Sequence, residues 1–373
     1  MPEINILVAV FFVMSGLAVA GEPVKGLYVF GDSLVDVGNN NYLPVSLAKA
    51  NYPHNGIDFP TKKPTGRFCN GKNAADVIAE KLGIPSPPPY LSLKKRGNES
   101  GELAGVNFAS GGAGIFNGSD QTLGQSIPLS QQVNNYISVH EELVKQLSPS
   151  AAQNHLSKSI FVIVIGSNDL FDYFSSFKLR QKNNPQQYTQ MMATKLKEQL
   201  KRIYDNGGRK FVVIGIGQIG CIPVQRKKNS TYECNREPNM WCSVYNQALR
   251  LMLQQFAQDL HGSMRYSYVD NFIAMQDIIS NPTVYGFKNV EAACCGRGKL
   301  NAELPCLPIA KYCSDRTAYF FWDLYGHPTE AAARKFVETV DLSLLLSSSL
   351  SPRRNSISIV FVFVGIYIFV LQK

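Results

Sequence analysis

Charge is sparse in this sequence: Asp, Glu, Lys and Arg make up 17% of its 373 residues, against 45% hydrophobic ones. Glycine and proline are also few, at 29 and 20. That composition excludes a disordered or fibrous chain and leaves a globular one with a core to bury. The formal net charge is +9, yet the basic residues fall in short separate clusters such as Lys94-Lys95-Arg96 and Arg226-Lys227-Lys228. No basic stripe, recognition-helix pattern or aromatic-basic interleaving is present, so a nucleic-acid partner is not expected. Nor does any internal repeat or long low-complexity linker divide the chain. The stiff PSPPP stretch at 85–89 is only a local connector, and one large domain over residues 21–345 is the expected organisation.

The two ends differ from the middle. An apolar run at 6–13 precedes the small-residue triplet Ala18-Val19-Ala20, which has the form of a secretory cleavage site, so residues 1–20 read as a signal peptide. Export to the extracellular space or cell wall would carry eight cysteines into an oxidising compartment. There an even number reads as disulfides rather than zinc ligands, with a pairing that sequence does not reveal. Three N-x-S/T acceptors, Asn98, Asn117 and Asn229, lie in polar stretches suited to glycosylation. Residues 346–373 form a polar spacer with Arg353 and Arg354, then an apolar tail at 357–371 that is short for a full span. Three readings stay open: a lipid-anchor signal that is removed, a tail anchor, or an artefact of the gene model, and either of the first two would attach the protein to the outer face of a membrane.

Short β-branched or aromatic runs at 26–30, 104–108, 160–165, 210–216 and 265–269 predict five buried parallel strands. Helical spacing of apolar residues at 72–82, 129–147, 187–204 and 240–260 falls between them. Strand alternating with helix gives an α/β fold with a doubly wound sheet covered on both faces. Gly31-Asp32-Ser33 follows the first strand, Ser110-Gly111-Gly112 the second and Gly166-Ser167-Asn168-Asp169 the third. In open α/β sheets the ligand crevice lies at the carboxyl ends of the strands, so these turns converge. They supply a hydroxyl, backbone amides and a side-chain amide, the equipment of a nucleophile beside an oxyanion hole.

A nucleophilic serine needs a base, and the base needs an orienting group. Of five histidines, His54, His140, His155 and His261 sit in polar loops or on polar helix faces and read as surface. His327 lies in FWDLYGHPTEAAARKF, where Pro328 opens a helix expected at 329–337 and Asp323 stands four residues earlier. That order offers Ser33, Asp323 and His327 as nucleophile, orienting acid and base; the alternative is that Asp323 and His327 merely cap the helix. Two motifs fail on context. G-x-G-x-x-G at 215–220 is followed by Cys221-Ile222-Pro223 and a basic stretch in place of a helix, and G-x-S-x-G is absent.

VFGDSLVDVGNNNYLP, GRFCNGKNAADVIAEKLG, GVNFASGGAGI, IGSNDL, GQIGCIP and FWDLYGHPTEAA occur in family order over about 24–340. Together they resemble the plant GDSL esterase/lipase family of the SGNH hydrolases. The resemblance implies a three-layer α/β/α sandwich with a five-stranded parallel sheet, and a serine esterase or lipase that needs no cofactor or metal. It implies Ser33, Asp323 and His327 as catalytic residues. The oxyanion donors would be the Ser33 amide, Gly112 and the Asn168 side chain, with Gly111 as the competing alignment for the glycine. The family's commoner Asp-x-x-His spacing is lengthened here by one residue, which Gly326 can absorb in a tight turn. Asp32 is read as positioning the nucleophile turn. The expected partner is a small-molecule or lipid ester. An acyltransferase using the same residues, or a binding glycoprotein on the same fold, are the alternatives.

Overall fold

The computed structural model describes residues 23–97, 104–119 and 121–347. The signal-peptide and tail segments, and Asn98, lie outside the described residues. The five predicted strands are present: β1 (Leu27–Gly31), β2 (Gly105–Asn107), β3 (Ile160–Val164), β4 (Lys210–Ile214) and β5 (Arg265–Val269). They form one parallel sheet in the order β2-β1-β3-β4-β5.

Strands β1 to β4 show no polar face because both of their faces are covered. Alternate residues of each strand point to opposite sides. Tyr28, Phe30, Val106, Phe161, Phe211 and Val213 pack into one core with the helices Leu129–Leu147, Pro149–Ser157, Pro185–Asp205 and Arg236–Asp259. Leu27, Val29, Val162, Val212 and Ile214 pack into the other with the helices Ala74–Lys81 and Glu330–Glu338. Large aromatic side chains thus face the layer with more helices, and aliphatic ones the thinner layer. The result is a three-layer α/β/α sandwich.

Two smaller cores lie beyond the last strand. One joins Ile222, Met275, Ile278, Phe287, Phe320 and Phe321; the other gathers Cys294, Cys295, Cys306, Ala310 and Trp322. Short strand pairs, Asn289–Ala293 with Tyr319–Phe321 and Cys295–Gly296 with Lys311–Tyr312, hold this region. Disulfides Cys294–Cys313 and Cys295–Cys306 brace it, and Cys221–Cys234 staples the segment after β4.

Three expectations are corrected. β5 is not buried: it is the edge of the sheet, and four of its five residues are half-exposed. Not all cysteines pair, because Cys69 and Cys242 are both buried and free in separate parts of the fold. Cys69 Sγ accepts from the Gly71 amide, and Cys242 packs as a small apolar side chain in the larger core. A helix does follow the 215–220 glycines, but Pro223–Lys228 is only six residues long.

Candidate active site

β1 lies between β2 and β3, so the chain runs outward from β1 on one side and then returns to its other side. That reversal opens a crevice at the carboxyl end of β1 and β3. A cavity of about 590 Å³ occupies it, bordered by Ser33, Gly112, Asn168, Asp323 and His327. Much of its lining is apolar, with Phe171, Ile222, Met275, Ile278, Phe320 and Phe336.

Ser33 stands in the turn that leaves β1. Gly31 packs so closely on β3 that a Cβ would collide with the Val164 carbonyl. The Gln132 side chain fixes the same glycine from the 129–147 helix: Gly31 N–H donates to Oε1 at 2.9 Å, and Nε2 donates to Gly31 O at 2.8 Å. Within the turn, Leu34 N–H donates to Asp32 Oδ1 at 3.0 Å.

The base arrives from the other end of the chain. After Tyr319–Phe321 the backbone turns at 323–327, and Trp322 N–H donates to His327 O at 2.7 Å to close the loop. Gly326 has φ +84°, a conformation that side chains other than glycine's seldom adopt, and this absorbs the extra residue. Asp323 Oδ1 accepts from the amides of Tyr325 and His327 at 3.0 and 3.3 Å, which aims Oδ2 at the ring. His327 Nδ1 lies 2.6 Å from Asp323 Oδ2, and Nε2 lies 2.8 Å from Ser33 Oγ. With Nδ1 protonated toward the carboxylate, Nε2 accepts from the serine hydroxyl. The Phe68 ring packs against the imidazole at a centroid distance of 5.0 Å.

Asn168 opens the helix Ser167–Ser175 just past β3, and its Nδ2 donates to Ala113 O at 2.8 Å. A carboxamide has two N–H groups, so this bond orients the side chain and leaves the second for the cavity. Of the two glycines, Gly111 has its amide committed to Asp36 Oδ2 at 3.1 Å, whereas Gly112 borders the cavity with φ +80°. The geometry favours Gly112. Asn117 is exposed and Asn229 half-exposed on loops, as acceptors of glycans need to be. Among the described residues no group of three or more His, Cys, Asp or Glu could hold a metal ion.

Several supporting residues escaped the sequence reading. Asp36 accepts from the amides of Gly38 and Asn39 as well as Gly111. Asn39 Nδ2 reaches the carbonyls of Asn107 and Ala109, and Asn40 Nδ2 that of Gly111. Asp169 accepts from the amides of Ile115 and Phe116 and from Ser119 Oγ. The loop of backbone amides is therefore held by buried side chains on both sides. Their signal was polar residues inside otherwise apolar stretches, such as Gln132 between Leu129 and Val133 on one helix face. His155, expected at the surface, is buried; its Nε2 and the Tyr28 hydroxyl are 3.2 Å apart.

Burial dominates the titration of Asp32, Asp36 and Asp169. It pushes the Asp32 carboxyl up to about 7, against the opposing pull of the Leu34 amide and His327. Asp32 Oδ2 is buried without a hydrogen-bond partner. Burial likewise pushes Asp36 up to about 6 and raises Asp169, while backbone amides pull both down.

Residues 27–340 match the profile of the GDSL-like Lipase/Acylhydrolase family. The chain is similar to GDSL esterase/lipase At5g55050 of Arabidopsis thaliana, 69% identical over 320 residues, covering 84% of this chain and 85% of that one. It is also similar to GDSL esterase/lipase At5g37690 of the same plant, 40% identical over 87% of this chain and 90% of the relative.

Proposed function

The chain belongs to the GDSL esterase/lipase family and is a carboxylic ester hydrolase, and from that premise we propose that it is a secreted enzyme working through an acyl-enzyme on Ser33. The observation that carries the mechanism is the unbroken relay from Asp323 Oδ2 through the His327 ring to Ser33 Oγ, with links of 2.6 and 2.8 Å.

Ser33 Oγ attacks the ester carbonyl as His327 Nε2 takes its proton. The carbonyl oxygen becomes an oxyanion, met by the Ser33 and Gly112 amides and the free N–H of Asn168. Asp323 stabilises the imidazolium that forms. Collapse of the intermediate breaks the ester C–O bond, and the departing alcohol takes the proton from His327. Water then repeats the sequence: His327 removes its proton, the acyl carbon accepts the hydroxyl, and the acid leaves as Ser33 regains its hydrogen.

The apolar wall of the cavity supports an ester with an apolar acyl portion. Three disulfides support an exported protein. The lipid-anchor reading of the tail is tested by release from cells with a phosphatidylinositol-specific phospholipase; retention on the cell surface refutes it. For the chemistry, Ser33→Ala is expected to lower turnover of a soluble nitrophenyl ester by about 10⁶-fold. Turnover equal to wild type in that variant refutes the acyl-enzyme.

A further inference from the structure

The mouth of the cavity is edged by two segments that are apolar where they meet solvent. In 42–50, Val45 and Leu47 are 70% and 72% exposed; in 304–312, Leu304 and Ile309 are 44% and 68% exposed. Leu47 and Leu307 also border the cavity itself. The segments are fixed in place. Leu47 N–H donates to Leu123 O at 2.8 Å, and His54 Nε2 lies 3.1 Å from Ala310 O, with its ring 4.6 Å from that of Tyr312. Tyr325, 48% exposed between Asp323 and His327, completes the edge with an amphipathic ring.

Isolated exposed aliphatics are ordinary, but several around the entrance to an apolar cavity are not. The charges decide what covers them. Segments 42–50 and 304–312 each contain one charged residue, Lys49 and Lys311, and no carboxylate. Glu303, at the base of the second segment, lies against Gly298 and beside Lys299. Aliphatic side chains with lysines beside them fit the boundary between acyl chains and anionic headgroups. A soluble protein partner would need satisfied polar contacts at its rim, which these two segments offer sparingly.

We propose that segments 42–50 and 304–312 form a docking surface for anionic phospholipid bilayers, which sets the cavity mouth against the lipid. This rests on the esterase reading of the cavity, through which a lipid ester would then enter without crossing water. The docking surface lies at the carboxyl end of the sheet beside Ser33 and His327 and uses no residue of the tail at 357–371.

The test uses the full chain in the Ser33→Ala background, so that lipid is not consumed and docking is read apart from chemistry. An Ile309→Cys variant carries an environment-sensitive fluorophore, and Asn154→Cys carries the same label on the helix that leads into β3, at the opposite end of the sheet. Cys69 and Cys242 are buried and do not compete. Mixed with phosphatidylcholine vesicles containing phosphatidylserine, the label at 309 is expected to shift to the blue and that at 154 to stay unchanged. Val45→Asp with Lys311→Glu should weaken partitioning by about tenfold or more. An unshifted label at 309, equal shifts at 309 and 154, or equal partitioning onto pure phosphatidylcholine each overturns the proposal. Hydrolysis of a soluble ester by the enzyme with Ser33 intact is measured separately, and its failure would strike the esterase mechanism while leaving the vesicle result standing.

Discussion

Gly326→Ala tests whether the left-handed backbone at 326 is what lets the lengthened Asp323-to-His327 loop close. At φ +84° an alanine is strained by about 1–2 kcal/mol. Its Cβ would also collide with Ile222 Cγ2 and lie 2.9 Å from Ile222 Cβ. Ile222 is buried between Cys221, Met275 and Phe321, so it has little room to retreat, and overpacking of this kind costs about 1–3 kcal/mol. The loop is the softer element and should move. Asp323 and His327 are held by their own loop amides, so movement disturbs the 2.6 and 2.8 Å links together. A displacement near 1 Å is worth about 10²-fold in rate. Steady-state kinetics on a soluble nitrophenyl ester should therefore show kcat falling by about that factor with KM little changed, and thermal unfolding should show a lower Tm. Adding Ile222→Ala removes the collision with Cγ2 but leaves the close approach to Cβ and the backbone strain, so it should restore part of kcat only. Wild-type kcat and Tm in Gly326→Ala would refute the account of the loop.

Asn168→Ala is expected to lower kcat by about 10²- to 10³-fold with little effect on KM, since its second N–H meets charge that develops only in the transition state; an equal rise in KM would refute that role. For Asp32, burial raises the carboxyl from 3.8 to about 7, so the folded protein holds a proton that the unfolded chain releases between those values. Its contribution is complete below about pH 4 and is lost as pH rises through about 7. Asp32→Asn cannot ionise, so its stability relative to wild type should grow across that window, by no more than about 4 kcal/mol. Urea unfolding at both ends of the window checks this, and a constant difference refutes it. The Cys295–Cys306 bridge closes a short loop of separation 11, and replacing both by Ser should cost about 2–3 kcal/mol in denaturant unfolding, with no loss expected if the small core alone holds the segment.

The sheet was legible because each central strand is a continuous apolar run, and such runs survive in sequence without knowledge of neighbours. β5 broke that rule: Arg265, Tyr266, Ser267 and Tyr268 read as a strand but carry the mixed polarity of an edge, where Arg265 and Ser267 bond to the carbonyls of Ser347 and Asp341. The loops that meet at the candidate site were legible because each short motif carries its polar groups locally, as Asp323 and His327 do within five residues. Gln132 was not, because its function is to hold Gly31, 101 residues away, and no local pattern encodes that contact. Cysteine number suggested full pairing, but Cys69 and Cys242 are separated by the fold, and only three-dimensional placement reveals it. The short strand pairs after β5 were missed for the same reason: their partners lie far along the chain and their runs are two to five residues long.

The site joins parts with different structural origins. Ser33 and Asn168 stand on turns leaving the central sheet, whereas Asp323 and His327 stand beside the small disulfide-braced cores. Catalysis needs these two bodies in register to within a few tenths of an ångström. The contacts that set the register are polar and specific. Trp322 Nε1 donates to Asn55 Oδ1 at 2.9 Å; the Glu330 amide, at the start of the helix after His327, donates to Asn70 Oδ1 at 2.9 Å; and Lys72 N–H donates to Glu330 Oε2 at 2.9 Å. Arg316 pairs with Asp58, which in turn accepts from Asn70 Nδ2 at 2.7 Å. These bonds are directional and weaken steeply as distance and angle depart from the ideal. The segment 55–72 also meets the chain that follows Ser33, where Asn41 Nδ2 donates to Thr65 O at 2.9 Å and Arg67 Nη1 donates to Val37 O at 3.3 Å, so it acts as the gauge between the nucleophile turn and the histidine loop, although none of its residues completes the relay itself.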